Sequence, residues 1–156
     1  MNGEQERQAG AGMVATGLVP HLLSVAKSAR QLMQLALADL DVAVGQDSFL
    51  LAFAGQEARS VIDLAVALSV RPSTVSKMVD ILEKKGWAAR GRDEHDLRKV
   101  LVKLTPEGLE TRSQVVKIRS SLETQLRKMA NGEDAIDLSA LRRLDETLSK
   151  RLSRRR

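Results

Sequence analysis

Apolar positions set a helical period twice between residues 60 and 85. Val61, Leu64, Ala65 and Leu68 recur at i, i+3, i+4 and i+7, and Val75, Met78, Val79 and Leu82 repeat the pattern. Each set predicts a short helix with one buried stripe. The second helix turns Ser73, Thr74, Ser76 and Lys77 away from its stripe, and only Ser69, Val70 and Arg71 separate the two. Ser60 is the expected N-cap of the first helix, with Asp63 completing a capping-box-like pair. Pro72 suits the first position of the second helix, and Gly86 is the residue expected to stop it just after Lys85. Residues 87–90 then read as a short strand and residues 91–98 as a charged loop at a hairpin tip. Val100–Leu104, which alternates with Lys99 and Lys103, reads as the partner strand. Two helices joined by a tight turn, with a hairpin behind them, predict a winged helix-turn-helix.

The flanks are helical. Residues 1–12 are rich in Gly, Gln and Glu and predict a flexible arm. From Leu18 to Leu40 a helical pattern carries a wide apolar band, broadened by Val25, Leu32 and Leu35, with Pro20 in its first turn. A second copy of the chain is the natural cover for a band that wide. Residues 46–53 predict a short buried helix around Phe49, Leu50 and Phe53. Thr105 and Pro106 open a long helix through Leu109, Val115, Ile118, Leu122, Leu126 and Met129. The last helix bears Leu138, Leu141, Leu144, Leu148 and Leu152, close to a heptad-like seam. The expected fold class is mainly α (α+β), a winged helix-turn-helix with N- and C-terminal dimerisation helices. Its expected parts are an arm (1–15), an N-terminal dimerisation helix (16–42), a DNA-binding lobe (43–104) and C-terminal dimerisation helices (105–156). Packed across a two-fold axis, the outer helices would set two reading heads side by side.

Composition narrows the classes. The chain has 156 residues, no Cys, no Tyr, one Trp and two Phe. Disulfides, thiolate metal sites and a cysteine switch are therefore excluded for this chain. No apolar run approaches the ~18 residues that a membrane span needs, and the first residues lack the basic start and apolar core of a signal peptide. The expected location is the cytoplasm, with no membrane partner. Net charge is +5, distributed as −1 over residues 1–46, +2 over 47–104 and +4 over 105–156. The helix-turn-helix segment is thus only mildly basic, and its case rests on where the charges stand. The basic tail (Lys150, Arg151, Arg154, Arg155 and Arg156) offsets a helix macrodipole or attracts DNA without sequence preference; both readings stay open.

The run Ser73-Thr74-Val75-Ser76-Lys77, the pair Asp96 and Arg98, and the step from Leu104 through Thr105 to Gly108 occur together in order. Together they make the chain resemble the MarR family of winged-helix transcriptional regulators over nearly its whole length. The resemblance implies a homodimer on a pseudo-palindromic operator, with Arg98 entering the minor groove and Asp96 holding it in position. It further implies a small-molecule effector that releases the DNA. Leu97 stands where a second arginine is common in the family, and three aromatic residues leave little to stack a phenolic ligand.

The residue chemistry agrees with that resemblance. Ser73, Thr74 and Ser76 are short hydroxyls at a helix N-terminus, where amides and the dipole attract phosphate. Lys77 is long enough to reach a guanine edge or a phosphate. Arg98 suits a narrow minor groove, whereas Arg90 and Arg92 suit phosphate contact. The same side chains also fit a plainer role as caps and solvated surface charges. His95 in the wing loop is expected to be solvated, and His21 to sit at a dimer core or pocket edge. Trp87 is expected to pack the wing against the helix-turn-helix. No cofactor or metal is expected, because no ligand spacing, Gly-rich phosphate loop or catalytic constellation occurs, so an enzyme is not expected. The expected function is a DNA-binding transcriptional regulator, a repressor, with double-stranded DNA and a second copy as partners. The alternative is a winged-helix protein–protein interaction module without specific DNA binding.

Overall fold

In the computed structural model, residues 17–92, 100–129 and 137–153 are described. The chain divides into two compact units, Met1–Val44 and Gly45–Arg156.

The first unit is built on helix α1 (Leu18–Leu37), which tightens into a 3₁₀ turn at Ala38–Leu40. Asp41, in the left-handed region at φ 52°, ends that turn. The pattern had predicted one helix to Leu40; the last three residues adopt the tighter hydrogen bonding common at helix ends. Leu18, Val19, Leu23, Val25 and Leu35 stand 63–76% exposed, so the apolar band lies open. His21 is exposed, with Nδ1 2.9 Å from the Gly17 carbonyl oxygen.

The second unit begins with α2 (Gln46–Leu51), shorter at its end than the predicted 46–53. Gly45 enters it at φ 103°, a conformation that favours glycine. Asp47 lies behind this turn, 2% exposed. One carboxylate oxygen accepts the Gly45 N–H at 2.7 Å, and the other accepts from Arg119 at 2.6 Å. Phe49 and Phe53 pack ring on ring with centroids 5.6 Å apart, both fully buried.

Ser60 caps α3 (Val61–Ala67) as expected. Its hydroxyl accepts the Asp63 N–H at 3.1 Å and donates to the Asp63 carboxylate at 2.7 Å. The tight turn follows with Ser69 at φ 54°, held because the Ser69 and Val70 amides reach back to the carbonyls of Val66 and Ala65. Helix α4 (Pro72–Lys84) begins with its proline and ends with the same device. Gly86, at φ 74°, donates to the Glu83 carbonyl, and Trp87 donates to that of Leu82 at 2.8 Å.

The sheet differs from the predicted hairpin in two ways. A two-residue strand, β1 (Arg59–Ser60), adds a third member, so the antiparallel order is β1-β3-β2. Two residues show no alternation to read, which hid this strand from the sequence. The second strand, β2, is Ala88–Arg92 and not residues 87–90. Trp87 is held in the helix-ending turn, while Gly91 and Arg92 pair with Leu101 and Val100 of β3 (Val100–Leu104) and leave the loop for the ladder.

Helix α5 (Pro106–Met129) starts at Thr105, whose hydroxyl accepts the Gly108 N–H at 3.1 Å. Thr105 also donates through its N–H to the Trp87 carbonyl at 3.0 Å and through its hydroxyl to the Gly86 carbonyl. The backbone of Trp87 thus joins helix, wing and α5, while its ring lies under the Lys85 ammonium at 4.7 Å. Arg112 donates to the Phe53 carbonyl at 2.7 Å, tying α5 to the end of α2. Helix α6 (Leu138–Ser153) follows, with Leu138, Leu141, Leu148 and Leu152 exposed. The core of this unit is Phe49, Leu50, Phe53, Leu64, Val75, Val79, Leu82, Val102 and Val115, all fully buried. It draws on every helix from α2 to α5 and on β3, so the core fixes how the helix-turn-helix sits on the sheet.

Candidate nucleic-acid interface

Helix α4 presents two faces. Val75, Val79 and Leu82 are fully buried, which pins the helix and its rotation. Opposite them, Ser73, Thr74 and Lys77 are exposed. Arg71, at the N-cap, provides no side-chain cap, and Pro72 carries no N–H. The first turn therefore offers its positive dipole end and the Ser73 amide to an outside anion. Ser76 is half-buried, and its hydroxyl donates back to the Pro72 carbonyl at 3.1 Å. That leaves its oxygen lone pairs, and no spare proton, for an outside partner.

Arg90 sits on β2 beside this helix, with its side chain 32% exposed. Its guanidinium pairs with Glu83, and donates to Asp80 at 2.6 Å and to the Ser76 carbonyl at 3.1 Å. Its own N–H donates to the second Glu83 oxygen at 2.9 Å. Burial disfavours the Arg90 charge, but the hydrogen bond to Asp80 and the two neighbouring carboxylates outweigh it and hold its pKa above the ordinary value. Arg92 is exposed at the end of β2. Asp96 and Arg98, with His95, lie outside the described residues.

The structure thus brings Ser73, Thr74, Ser76 and Lys77 onto one helix and sets Arg90 against it. It adds Asp80 and Glu83, which the sequence reading passed over. The signal was available, since Ser76, Asp80 and Glu83 are spaced i, i+4 and i+7 on one face. Among the described residues no cluster of His, Asp and Glu could hold a metal ion, and no helix is long and apolar enough to cross a membrane. An apolar hollow of about 350 Å³ lies between the helix-turn-helix and α6, lined by Ile62, Ala65, Val66, Val70 and Leu152 among others.

Helix, tight turn, exposed second helix and three-stranded wing base define a winged helix-turn-helix protein. Residues 54–100 match the model of the MarR family. An uncharacterised HTH-type transcriptional regulator of Bacillus subtilis, YhbI, is 29% identical over 133 residues, covering 81% of this chain and 80% of that protein. The fold also matches a Cys-to-Ser mutant of E. coli MarR complexed with operator DNA. The TM-score is 0.68 at 27% identity, over 86% of this chain and 93% of the other. A S. aureus MepR–DNA complex matches at TM-score 0.71 and 22% identity, over 88% and 97%, a likeness of fold. By these matches the chain resembles the MarR family of transcriptional regulators, whose members are not enzymes.

Proposed function

We propose that this protein acts in the cytoplasm as a homodimeric repressor on a pseudo-palindromic operator, each copy placing α4 in the major groove and Arg98 in the minor groove. The observation that carries the reading is the start of α4. An uncapped first turn exposes Ser73, Thr74 and Lys77 above a fully buried Val75, Val79 and Leu82, in a fold shared with a relative complexed with operator DNA. In that role Ser73 and Thr74 let the backbone approach a phosphate, Lys77 reaches a base edge or phosphate, and Arg92 meets the backbone beside the wing. Asp96 keeps Arg98 oriented.

The open apolar positions of α1 and α6 support a second copy as partner. Residues 16–42 and 105–156 then serve as the dimerisation helices around a lobe at 43–104. The hollow beside α3 falls at the small end of the ~300–1,000 Å³ range of small-molecule sites, which supports release of DNA by an apolar effector.

Selection of bound sequences from random DNA with the full-length protein tests this reading. Two inverted half-sites about one helical turn apart, ~10 bp centre to centre, are expected. An asymmetric single site would remove the dimer, and no enrichment at all would remove DNA reading and leave the protein–protein module.

A further inference from the structure

Arg90 suits a phosphate contact by sequence, yet the structure commits its charge within the chain. Four donations leave this one residue, three from the guanidinium and one from the backbone N–H. Two of them grip the two oxygens of Glu83, which fixes the direction of the β2 backbone as well as the position of the side chain. The other two reach Asp80 and the Ser76 carbonyl, one turn apart on α4. The planar fork of arginine suits this division among separate acceptors, which a single ammonium cannot reproduce. β2 continues from Arg90 to Arg92 and leads toward residues 93–99, where the sequence predicts the wing tip, so whatever orients Arg90 orients that strand.

Resting on the DNA-binding reading above, we infer that Arg90 is a positioning residue that locks the wing-bearing strand to the reading helix. It acts through Glu83, Asp80 and the Ser76 carbonyl and takes no DNA phosphate. Sequence-specific binding needs helix and wing engaged in a fixed relation, whereas non-specific attraction needs only charge. The lock therefore serves specificity.

Its test uses the full-length protein with two probes, a duplex selected from random DNA by the wild type and a scrambled duplex of the same length. Far-UV circular dichroism checks that each variant is folded. Arg90→Ala is expected to weaken binding to the selected duplex by roughly 5- to 30-fold. Binding to the scrambled duplex and the slope of log affinity against log salt should stay unchanged. Arg90→Lys, the variant that keeps the test open if Arg90→Ala does not fold, should restore only part of the loss. In an Asp80→Asn/Glu83→Gln background the Arg90→Ala change should cost almost nothing further. A slope lower by ~1 would mark a phosphate contact and overturn the inference. Full rescue by lysine, or an equal loss in both backgrounds, would overturn it too. If the wild type selects no sequence, the DNA-binding reading falls and the inference with it; selection by the wild type with any of those three results sinks the inference alone.

Discussion

Replacing Gly108 with alanine would set a Cβ 1.9 Å from the Trp87 carbonyl oxygen, 2.8 Å from its carbonyl carbon and 3.1 Å from its Cα. All three neighbours are backbone atoms, so no side chain can swing aside. Either α5 or the Trp87 backbone must retreat by more than an ångström. That retreat strains the Thr105 N–H bond to the Trp87 carbonyl, 3.0 Å long, and the link from the Thr105 hydroxyl to Gly86. Overpacking costs about 1–3 kcal/mol, and a lost hydrogen bond adds roughly 1 kcal/mol. Against this, alanine is a better helix former than glycine by ~1 kcal/mol. Contact with unyielding backbone places the overpacking near its upper end, so the net loss is about 2–3 kcal/mol. Urea unfolding at fixed protein concentration measures it. The sign is decisive. Without the close approach, Gly108→Ala would stabilise the protein by ~0.4–1 kcal/mol through the unfolded chain, and such a gain would refute the reasoning.

Two further outcomes follow from the same geometry. Arg119→Met leaves the Asp47 carboxylate, 3% exposed, with the Gly45 amide but without its guanidinium partner, whereas Asp47→Asn keeps an acceptor at the cap and removes the charge. Because Arg119 is 45% exposed, its loss should cost about 2 kcal/mol, below the ~3–5 of a fully buried pair, and the asparagine variant about half that. Urea midpoints in the reverse order would contradict the assignment. Glu57 accepts the N–H groups of Ala54 and Gly55, and these bonds, that to Ala54 foremost, lower its pKa below the ordinary 4.5. Its contribution is thus present above pH 4.5 and lost as pH falls through the lower folded value. The gap in urea midpoint between wild type and Glu57→Gln should accordingly be open at neutral pH and close in acid; a gap that widens in acid would contradict it.

What the sequence made legible was local. The stripes of α3 and α4, the Ser60 cap, Pro72, Gly86 and the Thr105 start all depend on residues within four or five positions of one another, and periodicity and capping chemistry report such distances. Longer separations were not legible. The Asp47–Arg119 pair spans 72 positions, and nothing in either neighbourhood announces the other. Strand β1 exists because β3 is there to pair with it, and β2 reaches Arg92 because Val100 faces it. Gly108 was visible as part of a family motif, but the reason for a glycine there is the Trp87 carbonyl, 21 positions earlier in the chain. At the interface, Ser73, Thr74 and Lys77 were readable from the exposed side of a periodic helix. The commitment of Arg90 to Asp80 and Glu83 needed the strand's placement against that helix, which only the folded sheet provides.

The central claim is that helix and wing together grip charged DNA, and salt tests it most directly. Affinity of the full-length protein for its selected duplex should fall ~10³–10⁵-fold between 50 and 200 mM salt if, as proposed, a dimer neutralises ~6–10 phosphates. A response that is nearly flat across that range would contradict the account.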